Sequence, residues 1–166
     1  MIIDFRDQST PRKSIALQTR CCTDIANSQL VQIDLEESLA IMKKYEIRYE
    51  GIILRPNTIS GYYNCHGMTF ASRRTGIDSV TTNIITEDNY VEISPSQVLP
   101  GDIVFYISQA NDIEHSGMVL LGMSKSNPSM MSILILSKWG EGSEVIHPLY
   151  ACPYGFNNIK FYRCEN

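Results

Sequence analysis

The chain has 166 residues, a length that suits one compact domain with a single core. Apolar residues make up 43% and charged residues 19%, which is typical of a folded globular protein and excludes a disordered one. The net charge of -4 comes without a basic stripe, so nucleic acid is not an expected partner. We expect one domain that covers residues 1–166.

Signals for a membrane or for export are not visible in the sequence. No apolar run approaches the roughly 20 residues that cross a bilayer, and residues 1–7 lack the basic start and apolar stretch of a secretory signal. The five cysteines, which include the adjacent Cys21 and Cys22, do not indicate a disulfide framework. We therefore expect no membrane span and a cytoplasmic location by default, although a protein exported without a cleaved signal would have the same features. The oligomeric state is left open.

The first third of the chain is predicted to be a helical scaffold. One helix is expected to have Thr10 as its cap and Pro11 in its first turn, and to continue to about Ile25. Asp34 can cap a second helix over residues 35–45. The apolar spacing of this second helix predicts a buried face formed by Leu35, Leu39 and Met42.

A third helix is predicted to carry a reactive cysteine. Asn64 is a good helix cap, so residues 65–74 are expected to form a helix with Cys65 in its first turn, and Gly67 would allow close packing there. A thiol at a helix start and beside an imidazole ionises more readily than a free cysteine. Cys65 is thus a candidate nucleophile, and the alternative is a buried thiol that packs as a small apolar residue.

The remaining sequence predicts an antiparallel sheet. Runs rich in threonine, branched and aromatic residues lie at 80–85, 90–93, 103–107, 115–121, 133–137, 144–147 and 159–162. The runs at 103–107, 115–121 and 133–137 are expected to pair in succession as a meander. The predicted fold class is α+β, with the helices first and the antiparallel sheet after them.

Three motifs occur in an order that resembles a known superfamily. Asn-Cys-His-Gly at 64–67 is followed by Pro-Gly-Asp-Ile-Val-Phe-Tyr at 100–106 and by His-Ser-Gly-Met-Val-Leu at 115–120. Over residues 61–140 this succession is similar to the NlpC-type and CHAP-type branches of the papain-like cysteine peptidases and amidases. The resemblance implies a papain-like fold, Cys65 as the nucleophile, His115 as the base, the Cys65 amide as an oxyanion donor, and no cofactor.

Besides Asn64, the sequence departs from that pattern at two further places. His66 replaces a small residue, and because it is adjacent to Cys65 we expect its side chain to point elsewhere. In the families that this sequence resembles, a polar residue on the strand after the base orients the histidine. No His, Asn, Gln or Asp stands at 134–140, so Ser137 or a backbone carbonyl is predicted to accept the hydrogen bond of His115.

Other polar and aromatic residues near these motifs are candidates for substrate binding. The Lys138 ammonium could pair with a substrate carboxylate. The Trp139 indole could form an apolar wall of the site, and the Tyr63 hydroxyl could lie near the oxyanion. Asn64, which stands where the family usually has aspartate, is also a candidate for substrate binding. The alternatives are packing roles for Tyr63 and Trp139 and a solvated strand end for Lys138.

Zinc is the competing chemistry for the same residues. Enough ligand atoms are present in Cys65, His66, His115, His147 and Cys152, but none falls in a Cys-x-x-Cys or His-Glu-x-x-His spacing. The sequence therefore predicts no metal site.

The expected function is that of a thiol hydrolase which cleaves an amide bond. By resemblance, its substrate would be a cell-wall peptide, a peptidoglycan-like substrate or an N-acyl amino acid linkage. Two alternatives stay open: an acyltransferase or deamidase that uses the same thiol, and a catalytically degenerate binding module.

Overall fold

The computed structural model describes residues 12–80, 82–123, 129–155 and 157–165. The strands and helices in these ranges are β1 Arg12–Lys13, β2 Asn27–Leu30, α1 Leu35–Arg48, β3 Ile53–Arg55, α2 Cys65–Phe70, β4 Gly76–Ile77, α3 Thr82–Glu87, β5 Tyr90–Ile93, β6 Ile103–Ile107, β7 Ile113–Leu121, β8 Leu134–Lys138, β9 Glu144–Pro148 and β10 Ile159–Cys164. The predicted α+β class is confirmed. No helix in the described ranges is long and apolar enough to cross a membrane.

The main sheet has seven antiparallel strands in the order β3-β9-β8-β7-β6-β10-β5, and a smaller sheet has the order β1-β2-β4. Strands β6, β7, β8 and β9 pair in succession, so the predicted meander is confirmed and extends by one strand. Strand β7 occupies the centre of the main sheet. The motif that begins at His115 therefore lies in the most covered part of the sheet.

Apolar side chains cover the main sheet and hold α2 against it. Branched residues of β6, β7 and β8, such as Val104, Val119 and Ile135, form one buried cluster. Helix α2 packs Met68 against Leu136 of β8. This contact places the first turn of α2 over the centre of the sheet.

Two predictions about secondary structure are wrong. No helix covers residues 12–25; instead β1 pairs with β2, and a bridge between Gln18 and Asp24 surrounds a turn in which Cys22 has a positive φ of 63°. The apolar residues here have mixed spacing, which does not give a helix a single buried stripe. The predicted cap Thr10 and the residue Pro11 lie outside the described residues. The sequence predicts a strand at 80–85, but α3 occupies most of this run and buries Ile84.

The other two helices are where the sequence places them, with differences in detail. The Asp34 side chain caps α1 by accepting from the Glu37 amide at 2.9 Å, as predicted. Helix α2 ends at Phe70 rather than at residue 74, since Ser72 and Arg73 have positive φ. The predicted buried face of α1 is wrong for Leu35 and Leu39, which are 55% and 47% exposed, because the helix packs through Met42 instead.

Candidate active site

The start of α2 is fixed by the side chain of Asn64. Its Oδ1 accepts from the amides of Gly67 at 2.9 Å and Ile77 at 3.1 Å, and its Nδ2 donates to the Ile77 carbonyl at 2.8 Å. The predicted cap is confirmed, and the same side chain ties α2 to β4. Because all of these hydrogen bonds are internal, the prediction that Asn64 contacts substrate is not supported by its position.

Gly67 permits α2 to lie close to the chain that follows it. A Cβ at this position would meet the carbonyl oxygen of Thr75 at 1.8 Å, far inside contact distance. Only glycine fits here without moving the backbone. The close packing predicted for Gly67 is confirmed, and it holds the first turn of α2 in a fixed place.

Cys65 is the first residue of α2 and is 7% exposed. Burial by itself raises the pKa of its thiol, but the charge and hydrogen bonding of His66 and His115 outweigh burial, so the pKa lies well below its usual value. A thiol with a lowered pKa is a nucleophile at neutral pH. The structure thus brings together Cys65 and His115, two of the predicted site residues.

His115 is fully buried on β7, opposite Tyr106 of β6. Its ring stacks on Tyr154, with the centroids 4.1 Å apart and the planes 6° from parallel. Among the described residues, neither ring nitrogen has a hydrogen-bond partner of ordinary geometry. The charge of His115 is nevertheless one of the causes that lower the pKa of the Cys65 thiol.

His66 also belongs to the surroundings of Cys65. The expectation that its side chain points away is wrong, because His66 lowers the pKa of the Cys65 thiol through charge and hydrogen bonding. Its Nδ1 lies 2.9 Å from the Oγ of Ser116, the neighbour of His115 on β7. Ser116 contacts α2 through Thr69, while the ring of the preceding residue, His115, packs on Tyr154.

Ser137 does not orient His115. Its Oγ lies 2.9 Å from Nε2 of His147 and accepts from the Trp139 indole at 2.9 Å. The Nδ1 of His147 lies 2.9 Å from the Pro148 carbonyl, which can only accept, so this nitrogen carries the proton and Ser137 donates to Nε2. Burial lowers the pKa of His147 to about 3, which keeps the ring neutral. The predicted bond from Ser137 to His115 is therefore wrong, and Ser137 bonds Trp139 and His147 instead.

Lys138 is buried rather than at a solvated strand end. Its Nζ donates to the carbonyls of Gly142 and Thr58 and lies 4.9 Å from the centroid of the Tyr63 ring. Burial lowers the pKa of Lys138 to about 8. These internal contacts do not support the prediction that Lys138 pairs with a substrate carboxylate.

Tyr63 belongs to the same buried cluster. Its hydroxyl donates to Glu144 at 3.0 Å, and burial, followed by this hydrogen bond, raises the pKa of Tyr63 to about 12. Glu144 is fully buried and also pairs with Arg55 and Arg73. Tyr63 therefore does not present its hydroxyl to an oxyanion, and the alternative of a packing role fits its position. Sequence reasoning missed Glu144, although its place opposite Lys138 on the neighbouring strand would follow from the correct register.

Trp139 is a core residue. It is 3% exposed, and its ring makes edge contacts with Tyr45 and Tyr49 of α1 at centroid distances of 5.2 and 5.5 Å. The indole is thus covered by α1 and does not form a wall for substrate. The packing alternative matches this position.

Metal ligands do not cluster in the described part of the chain, where no group of three or more His, Cys, Asp or Glu side chains could hold an ion. Comparison of the chain with protein-family models, curated proteins and solved structures returned no match. The chemistry of the site rests on its own residues: a buried thiol of low pKa and two imidazoles that act on it.

Proposed function

We propose that the protein is a thiol hydrolase in which Cys65 attacks an amide carbonyl and His115 serves as the acid-base partner. The observation that carries the proposal is the lowered pKa of the Cys65 thiol beside His115, whose ring nitrogens are buried without ordinary hydrogen bonds in the described chain. An unpartnered buried imidazole is costly for stability, so its presence beside a nucleophile favours a catalytic role.

The arrangement of elements supports a papain-like version of this chemistry. The cysteine lies in the first turn of α2, the histidine lies on β7 of an antiparallel sheet, and α2 packs on β7 and β8. The order of these parts along the chain is the order that the resemblance implies. The orienting polar residue of that pattern is replaced here by the ring of Tyr154, which stacks on His115.

The proposed reaction has two steps. The thiolate forms a bond to the acyl carbon, the leaving amine takes a proton from an imidazolium, and water then releases the acyl group from Cys65. By resemblance, the proposed substrate is an amide in a cell-wall peptide or an N-acyl amino acid linkage. Transfer of the acyl group to an amine, or deamidation, would use the same covalent intermediate.

A binding module without activity is the second candidate. It is favoured by one observation, which is that no hydrogen bond orients His115 within the described residues. The two candidates differ in whether Cys65 forms an acyl-enzyme, so that intermediate is the property to measure.

Trapping the acyl-enzyme tests the proposal. The protein is treated with p-nitrophenyl acetate near pH 6, where ordinary thiols are protonated. It is then digested, and the masses of the cysteine-containing peptides are measured. We expect one acetyl group on the Cys65 peptide, no acetylation of that peptide in Cys65→Ala, and slower labelling of Cys65 in His115→Ala. The exposed Cys21 serves as the internal reference. Equal labelling of Cys65 and Cys21 would support the binding module instead.

The substrate class is tested separately with peptidoglycan. Mass analysis of the digested material compares wild type with Cys65→Ala. New amide-cleaved fragments that require Cys65 are expected. If the acyl-enzyme forms but the fragments are identical, the wall substrate is rejected and the thiol chemistry stands.

A further inference from the structure

We propose that His66 is a second catalytic imidazole of this site and accepts the Cys65 proton on its Nε2. The inference rests on the proposed function, because it adds a proton acceptor to the same thiol. His66 directly follows Cys65 in α2 and is 5% exposed, and its Nδ1 lies 2.9 Å from the Ser116 hydroxyl. The other nitrogen of the ring is therefore the one left for the thiol.

The direction of each hydrogen bond around His66 follows from counting protons. Thr69 must donate its hydroxyl proton to the Cys65 carbonyl at 2.9 Å, because a carbonyl only accepts. In the 3.1 Å contact between Thr69 and Ser116, the donor is then Ser116. With its single proton used, Ser116 can only accept from the Nδ1–H of His66. Neutral His66 is thus fixed as the tautomer with its lone pair on Nε2.

The same count explains why His66 suits the positive charge better than His115 does. An imidazolium has two N–H groups, and a buried one that lacks an acceptor is costly. For His66, Ser116 accepts from Nδ1 and the thiolate can accept from Nε2. For His115, neither ring nitrogen has an ordinary partner among the described residues, so even with the thiolate facing one nitrogen the other N–H would lack an acceptor. In the resting site the thiol proton therefore resides on His66.

The proton step is balanced within the site. The S–H proton of Cys65 moves to Nε2 of His66, which yields one thiolate and one imidazolium without another reactant. When the thiolate bonds to the acyl carbon and the amine leaves, that amine takes one proton from His66, either directly or by way of His115. His66 is then neutral again, and the Cys65 sulfur carries the acyl group.

Three further titratable groups interact with the charge of Cys65, namely Lys138 on β8 and, before β10, Cys152 and Tyr154. Burial lowers the pKa of Lys138 to about 8 and raises that of Cys152 to about 12, and burial also raises the pKa of Tyr154. None of these groups changes its charge between about pH 4 and about pH 7. A change at Cys65 in that range therefore reports the imidazoles.

The first test needs no change to His66. Long-range ¹H–¹⁵N NMR of the histidine rings is recorded near pH 7 for wild type and for Cys65→Ser, which has no thiolate. We expect His66 to be doubly protonated in wild type and to carry its proton on Nδ1 in Cys65→Ser. The same protonation state in both proteins, or a proton on Nε2 in Cys65→Ser, would overturn the proposal.

The second test measures the pH midpoint of Cys65 alkylation by iodoacetamide. His66→Asn keeps an amide that can reach Ser116 but has no second nitrogen, so we expect the midpoint to rise by roughly one pH unit or more. His115→Asn is the matched variant, and the double variant should approach the value of about 8.5 for free cysteine. Near-ultraviolet circular dichroism checks the fold of each variant.

The outcomes separate this inference from the proposed function. An unchanged midpoint in folded His66→Asn overturns the role of His66, whereas the acyl-enzyme experiment still decides the hydrolase. A midpoint that moves only in His66→Asn supports His66 and argues against His115 as the base. If His66→Asn does not fold, the NMR comparison decides, because it retains His66.

Discussion

Two opposing effects act on the thiol of Cys65. Burial disfavours the thiolate, while His66 and His115 favour it, and the imidazoles have the larger combined effect. The sequence identifies Cys65 because its cap, Asn64, is a local signal. It does not identify His66, since the direction of that side chain depends on Ser116, which comes from a strand 50 residues away.

Glu144 is a buried carboxylate whose removal should destabilise the fold. Burial raises its pKa, but the hydrogen bonds of Arg73 and Tyr63 outweigh burial and lower it. We expect Glu144→Gln to lose about 2 kcal/mol of unfolding free energy near pH 7, because the two arginines and the tyrosine lose a charged acceptor. Urea unfolding measures this loss.

The pH dependence of that loss has a definite sign. A carboxylate with a lowered pKa stabilises the fold above its unfolded value of about 4.3, and this contribution disappears as the pH falls through the folded pKa. The difference between Glu144→Gln and wild type should therefore shrink in acid. Glu92→Gln is the matched control: its exposed pair with Lys160 should contribute less than about 1 kcal/mol. Equal losses in the two variants would contradict the buried role of Glu144.

The buried His147 should make the fold less stable in acid. Burial lowers its pKa to about 3, whereas an unfolded histidine titrates near 6.5. Its contribution is complete above about pH 6.5 and falls as the pH drops towards about 3, by up to about 1.4 kcal/mol per pH unit. His147→Asn does not titrate, so its stability should fall less steeply than that of wild type. Parallel curves in urea unfolding from pH 7 to pH 4 would contradict this prediction.

Helix α2 is too short to be stable on its own, and its position depends on side-chain contacts. A six-residue helix has few internal hydrogen bonds, so the links from Asn64 to Gly67 and Ile77 carry much of its stability. This explains how a thiol at a helix start can be held at one place beside β7.

Substitutions of Asn64 test this anchoring. Asn64→Ala should lower the unfolding free energy by about 1 to 2 kcal/mol, because two amides lose their acceptor. Asn64→Asp is the matched variant, since it keeps the accepting oxygen and loses only the donor to Ile77. It should retain more stability than Asn64→Ala in urea unfolding near pH 7. If alanine and aspartate were equally stable, the capping role would be refuted.

At the scale of elements, the sequence predicts those features that depend on residues close together along the chain. Asp34 marks the start of α1 because its side chain bonds an amide three residues later. The buried face of α1 could not be predicted, since Leu35 and Leu39 are apolar but the helix turns Met42 towards Trp139 of the sheet. The same holds for Ser137, whose partner His147 is set by the pairing of β8 with β9.

At the scale of the whole molecule, the central strand β7 connects both halves of the site. It carries His115 next to Tyr154 and Ser116 next to α2, so one strand positions both imidazoles around Cys65. The meander of β6, β7 and β8 follows from hairpins that are local in sequence. The outer positions of β3 and β5 depend on long-range pairing and could not be predicted from the chain.

Cys65 is proposed to be a thiolate near neutral pH, and its alkylation rate as a function of pH tests this proposal most directly. Wild-type protein is treated with iodoacetamide across the pH range, and the modified peptides of Cys65 and the exposed Cys21 are quantified in the same sample. Burial slows Cys65 at every pH, so the midpoint is the quantity compared. We predict a Cys65 midpoint well below the value of about 8.5 for an ordinary thiol. Midpoints that coincide for Cys65 and Cys21 would contradict the account.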